Sequence, residues 1–90
     1  MDVLYYSDLD YGKVKIQFER TVGYLEAGNF AAAEVKKLAV NGLYRAKLDK
    51  TSRLLFKFAR YRERSYLLLL EVIYNHEYEK SRFLRGAVID

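Results

Sequence analysis

Ninety residues with 51% apolar and 31% charged side chains, including 9 Tyr and 5 Phe, are too hydrophobic for a disordered chain and too few for two independent cores. One domain spanning 1–90 is therefore expected, and the absence of Cys together with a single His excludes a disulfide framework and a typical zinc centre, so no metal or other cofactor is expected. Sixteen basic against 12 acidic residues give a formal charge of +4 and a pI near 9.3, a mild pull towards phosphate-rich or acidic partners.

The N-terminus, Met1-Asp2-Val3, lacks the basic region of a secretory signal, which points to a cytoplasmic protein. Val3 to Tyr6 is a short apolar run ended by Ser7-Asp8, and it predicts an opening strand followed by a helix N-cap. From Leu9 to Ala27 the apolar residues Leu9, Val14, Phe18, Val22 and Leu25 recur at three-, four- and five-residue spacing, which predicts an amphipathic helix that Gly28 ends. Asn29 is placed to cap a second helix over Phe30 to Ala39, where three Ala favour helix and Lys36 and Lys37 suit the negative end of its dipole. Asn41-Gly42 is its predicted stop.

The remainder is strand-like. Leu43 to Asp49 alternates, with Tyr44, Ala46 and Leu48 opposed by Arg45, Lys47 and Asp49, and Arg53 to Ala59 alternates in the same way around Leu54, Phe56 and Phe58. Tyr66 to Tyr74 is almost wholly apolar, as a strand covered on both faces would be, and its unbroken apolar stretch is far below the roughly 20 residues of a membrane span. The predicted fold is α+β, in the order β-α-α-β-β-β, with a helical hairpin on one face of a mainly antiparallel sheet. The tail 79–90 predicts a short C-terminal helix stopped by Gly86. Its apolar ending Ala87-Val88-Ile89-Asp90 would also suit a module leading into a longer protein.

Residues opposed in an antiparallel pair share a face, so burying the apolar sets pairs Tyr44 with Phe58, Ala46 with Phe56 and Leu48 with Leu54, leaving Lys50 to Ser52 as the loop. This register sets Arg45 opposite Lys57 and Asp49 opposite Arg53, and on the last strand Phe56 meets Leu68 and Arg53 meets Glu71. Facing like charges cost about 0.2 to 1 kcal/mol unless an anion sits between them. A bound phosphate would remove that cost. The other reading of the same face is solvated lysine and arginine with an Asp49–Arg53–Glu71 ion-pair cluster.

Asn75-His76-Glu77-Tyr78 leaves the last strand beside the Lys50 to Ser52 loop, which brings His76 and Tyr78 towards Lys47, Lys50 and Arg53. A His exchanges protons near neutral pH, a Tyr stacks or donates from its hydroxyl, and neighbouring cations stabilise a phosphorane-like transition state. Such a group could cleave RNA without metal. The plainer alternatives are a hydrogen-bonded surface His76 and a Tyr78 packed under the C-terminal tail.

The run Gly42-Leu43-Tyr44-Arg45-Ala46-Lys47-Leu48-Asp49-Lys50-Thr51-Ser52-Arg53-Leu54-Leu55-Phe56, followed by a hydrophobic strand and then His76 and Tyr78, resembles the RelE/ParE toxin superfamily. Its members carry a similar G-x-Y-R-x-(K/R) strand, a short turn and an Arg opening the next strand. The resemblance implies one of two activities: ribosome-associated cleavage of mRNA through the 2′-hydroxyl, or inhibition of DNA gyrase without nuclease chemistry. It implies an antitoxin partner, Arg53, His76 and Tyr78 as catalytic residues, and Arg45 and Lys47 as RNA-binding residues, to which the strand register and the loop add Lys57 and Lys50. A toxin fold kept as a non-catalytic interaction module is the alternative.

Overall fold

The computed structural model describes residues 1–39 and 42–84. Five strands form one mixed sheet: β1 (Asp2–Tyr5), β2 (Lys36–Lys37), β3 (Leu43–Lys47), β4 (Arg53–Tyr61) and β5 (Arg64–Ile73), in the spatial order β1-β5-β4-β3-β2. β1 lies parallel to β5 and every other neighbouring pair is antiparallel. Among the described residues one α-helix, α1 (Lys15–Glu26), packs on one face. The architecture is thus α+β, as the residue pattern predicts.

The opening of α1 differs from expectation. Ser7-Asp8 does not cap it; the chain first makes a 3-10 turn, Gly12–Val14, and Leu9 lies outside the helix. The predicted stripe otherwise holds, with Val14, Phe18, Val22 and Leu25 buried, and Thr21 completes it. Tyr11 stacks on the Phe18 ring at a centroid distance of 4.0 Å, closing the N-terminal end of this core. At the other end Gly28, at φ 74°, takes the left-handed conformation while the Asn29 N–H donates to the Tyr24 carbonyl and the Gly28 N–H to the Leu25 carbonyl. This is the Schellman closure that a glycine just past the last turn permits.

The second helix of the predicted hairpin is absent, and its start and stop signals explain why. Asn29 does cap: its Oδ1 accepts from the Ala32 N–H at 3.2 Å. One turn later Glu34 adopts φ 49°, the Glu34 N–H donates to the Ala31 carbonyl and the Val35 N–H to the Phe30 carbonyl, a second Schellman closure. Start and stop fall within a single turn. Phe30 and Val35 pack against the same core, and Lys36 and Lys37 continue as an edge strand paired with Arg45 and Tyr44. Val40 and Asn41, half of the predicted stop signal, lie outside the described residues.

The meander is in a different register from the predicted one, by two residues with parity kept. Tyr44 opposes Phe56, Ala46 opposes Leu54 and Lys47 opposes Arg53. The connection is correspondingly longer, Leu48 to Ser52. A β-bulge between Leu55 and Phe56 in the β4–β5 ladder accounts for a second correction: Phe56 faces Leu69 and Leu55 faces Glu71, leaving Leu70 as the extra residue. Leu67, Leu69 and Val72 therefore join the helix-side core, while Leu68, Leu70 and Ile73 turn to the far face.

That far face is not a bare charged surface. It carries a second core of Leu43, Leu55, Leu70, Ile73 and Leu84, with Tyr6, Tyr78 and Phe83 packed against it. The lid is the C-terminal segment, which forms a 3-10 turn at Tyr78–Lys80 and a further turn at Arg82–Leu84 in place of the predicted helix. Arg82 fastens it by an ion pair with Asp8 at 3.1 Å and by lying over the Tyr6 ring. Gly86 and the ending Ala87-Val88-Ile89-Asp90 lie outside the described residues.

Candidate nucleic-acid interface

The β3–β4 connection is held by a dense set of hydrogen bonds. Asp49 Oδ1 accepts from the Thr51 N–H at 2.9 Å and the Ser52 N–H at 2.7 Å, and these donors hold its carboxyl below the usual carboxylate range despite some desolvation. Arg53 donates from one terminal nitrogen to the carbonyls of Asp49 at 2.6 Å and Ser52 at 3.0 Å. From the helix side, Arg20 donates to the Leu48 carbonyl and Thr21 Oγ1 to the Lys47 carbonyl. Arg20, Tyr24, Glu34, Lys47, Asp49 and Lys50 line an open groove of about 360 Å³ beside this loop.

His76 arrives at the same loop, as the sequence predicts. After β5 the residues Asn75 and His76 both have positive φ, 54° and 55°, which reverses the chain tightly; Asn and His are among the residues that tolerate this region best. The His76 N–H then donates to the Thr51 carbonyl, and its ring Nε2 lies 3.0 Å from the Lys50 carbonyl oxygen. A carbonyl can only accept, so Nε2 carries a proton, and in the neutral ring the lone pair lies on Nδ1. Lys50, Arg53 and His76 thus meet at one loop.

The other predicted residues are dispersed. Lys47 pairs with Glu34 at 3.4 Å. Tyr78 packs against the second core. Arg45 does not oppose Lys57; Arg45 faces Leu55 and Lys57 faces Leu43, so the two cations are diagonal neighbours. The like-charge oppositions fall elsewhere, at Lys36 with Arg45 and Lys47 with Arg53. Glu34 relieves the second pair and the loop carbonyls occupy Arg53, whereas Lys36, Arg45 and Lys57 form a far-face patch with no ion pair among the described residues. Lys36 was missed because a lysine at a helix end explains itself through the dipole; the signal for an edge strand was only the two consecutive lysines before Leu38.

The predicted Asp49–Arg53–Glu71 ion cluster does not form among the described residues. Arg53 bonds to the main chain of Asp49, and Glu71 Oε1 is buried with no hydrogen-bond partner among the described residues. No three His, Cys, Asp or Glu converge as metal ligands among the described residues, and no described helix is long and apolar enough to cross a membrane.

No protein-family model matches the sequence, and no curated protein matches it. The fold, however, is similar to that of the YoeB/ParE toxin from Agrobacterium tumefaciens, with a TM-score of 0.52 over 82% of this chain and 98% of that one at 9% identity. The chain therefore has a RelE/ParE toxin-like fold, and the agreement lies in architecture.

Proposed function

We propose that the chain is a metal-independent endoribonuclease of the toxin type, active against mRNA at the ribosome, cytoplasmic, and held in check by an antitoxin protein. The observation that carries this reading is the loop-end group: the His76 imidazole is anchored through Nε2 on the Lys50 carbonyl, at the loop whose Asp49 carbonyl Arg53 grips. In this reaction the 2′-hydroxyl gives its proton to His76 Nδ1 and its oxygen attacks phosphorus. The P–O5′ bond breaks, leaving a 2′,3′-cyclic phosphate, and the leaving oxygen takes a proton from water. Lys50 and the guanidinium nitrogens of Arg53 not engaged with the loop stabilise the charge that builds on the phosphoryl oxygens. Lys36, Arg45 and Lys57 hold the flanking backbone on the far face, and Lys47 serves the same strand from its pairing with Glu34. Tyr78 acts through packing and not by proton transfer.

A second reading, a toxin fold serving as a non-catalytic interaction module, is favoured by the engagement of Arg53 with loop carbonyls and of Tyr78 with the second core. The two part in a single experiment: purified protein is added to translating ribosomes with EDTA-treated and untreated naked RNA alongside, and cut sites are mapped. His76→Ala abolishing cleavage, with 2′,3′-cyclic ends on the wild-type products, supports the nuclease. Full cleavage by His76→Ala overturns the role given to His76, and no cleavage by the wild type supports the module.

A further inference from the structure

The geometry points to a second binding element, distinct from the loop-end group: the protruding tip of the β4–β5 hairpin is a ribbon that enters a groove of paired nucleic acid and grips the phosphates on either side. β3 pairs with β4 only as far as Lys57, and β1 pairs with β5 only from Tyr66 onwards. Among the described residues, 60–65 therefore have ladder partners only in one another, and every residue from 58 to 65 except Ala59 is exposed. An unsupported two-stranded ribbon is marginal by itself. It is retained here together with an unusual charge.

From Arg53 to Leu70 there are five basic residues and one acid, a surplus of four that equals the formal charge of the entire chain; the remaining residues balance. Three of the five, Arg60, Arg62 and Arg64, lie on the free-standing part and make no ion pair among the described residues. Strand parity distributes them. Arg60 shares the face of Phe58, Arg64 is opposite Tyr61 on the other face, and Arg62 occupies the turn with its guanidinium carbon 5.3 Å from the Tyr61 ring centroid. Cations on both faces of a narrow ribbon cannot all meet a flat surface. They suit a groove bounded by two rows of phosphate, and a two-stranded ribbon has the width for it.

The turn adds an independent observation. Arg62 and Glu63 both take positive φ, 50° and 65°, the two-residue hairpin geometry that favours Asn-Gly and disfavours both residues present. Local strain kept at an exposed tip marks selection for something other than stability. The tip is about 30 Å from His76, at the opposite end of the ten-residue strand β5, so its role is affinity and placement and does not require cleavage to occur.

The test is fluorescence anisotropy with an RNA stem-loop, a DNA duplex and a single strand of equal length, over a range of salt. Arg60→Gln/Arg62→Gln/Arg64→Gln should weaken binding to at least one paired probe by tenfold or more at low salt and reduce the slope of log affinity against log salt by about 2 to 3. Arg62→Asn/Glu63→Gly, which leaves the net charge unchanged, should raise the melting temperature while weakening the same binding by about twofold or more. Wild-type affinity and slope in the triple variant overturn the proposal. So does an equal loss in Lys13→Gln/Lys15→Gln/Lys37→Gln, or an equal loss on the single strand. Cleavage at saturating RNA should survive the tip substitutions and vanish in His76→Ala, so failure of the tip and failure of the nuclease reading are separable.

Discussion

The two connections of the meander solve the same problem, reversing a strand, by opposite means. Between β3 and β4, a five-residue loop is fixed by the Asp49 carboxylate, the Arg53 guanidinium, two side chains of α1 and the backbone of His76. Between β4 and β5 two residues turn the chain in a conformation neither prefers, and among the described residues the strand ends beside them pair with no third strand. The first connection is overdetermined and can hold a catalytic group still. The second is strained, exposed and cationic, and it can be altered at small cost to the fold. Rigidity and charge have been placed at opposite ends of the same two strands.

If that contrast is right, the largest effect should come from Arg53. Arg53→Met retains the stem and removes two charge-assisted hydrogen bonds to loop carbonyls, leaving those acceptors short of a partner, and should cost about 3 kcal/mol in urea unfolding. A cost below about 1 kcal/mol would show that the loop does not depend on this side chain. Asp49→Ala is next, at about 2 kcal/mol, because the Thr51 and Ser52 N–H groups lose their acceptor. This contribution has a definite pH dependence. The carboxyl of Asp49 is held below its unfolded value chiefly by the Thr51 N–H, so its stabilisation is fully present above the unfolded pKa and disappears as pH falls through the folded one. The difference in melting temperature between wild type and Asp49→Ala should therefore be constant from neutral pH to about 5 and should shrink below about 4.

How much of this was legible in the sequence follows from the range over which each signal acts. The stripe on α1 and the inward parity of Tyr44, Ala46, Leu54 and Phe56 were readable because burial period is a local property, and the arrival of His76 at the Lys50 to Ser52 region followed from chain order alone. The β2 strand was not readable. The segment 30–39 around it has helix-forming composition and a good cap, and only the left-handed Glu34, next to Val35 on the same core as Phe30, ends the helix after one turn. Register failed for a similar reason. Two hairpin pairings that differ by two residues bury the same faces, so parity could not choose between them; the hydrogen bonds of Asp49 and Arg53, which favour the longer loop, decide it. The bulge at Leu70 is invisible in a strand apolar on both sides, and with it went the makeup of the second core, although the packing of Tyr78 under the C-terminal tail was one of the two readings open from the sequence.

The smallest effect belongs to the other connection, and it has the opposite sign. Replacing Arg62-Glu63 by Asn-Gly relaxes two left-handed residues at an exposed turn, since among the described residues 60–65 pair only with one another. The expected change is a gain of about 1 kcal/mol, partly offset by the greater freedom glycine gives the unfolded chain. The same gain should persist from acid to neutral pH, because no carboxylate hydrogen bond is involved, in contrast to the Asp49 loop. A loss of stability would mean that the Arg62–Tyr61 stacking contributes more than the backbone strain takes away, and the division between a rigid end and a strained end would no longer hold.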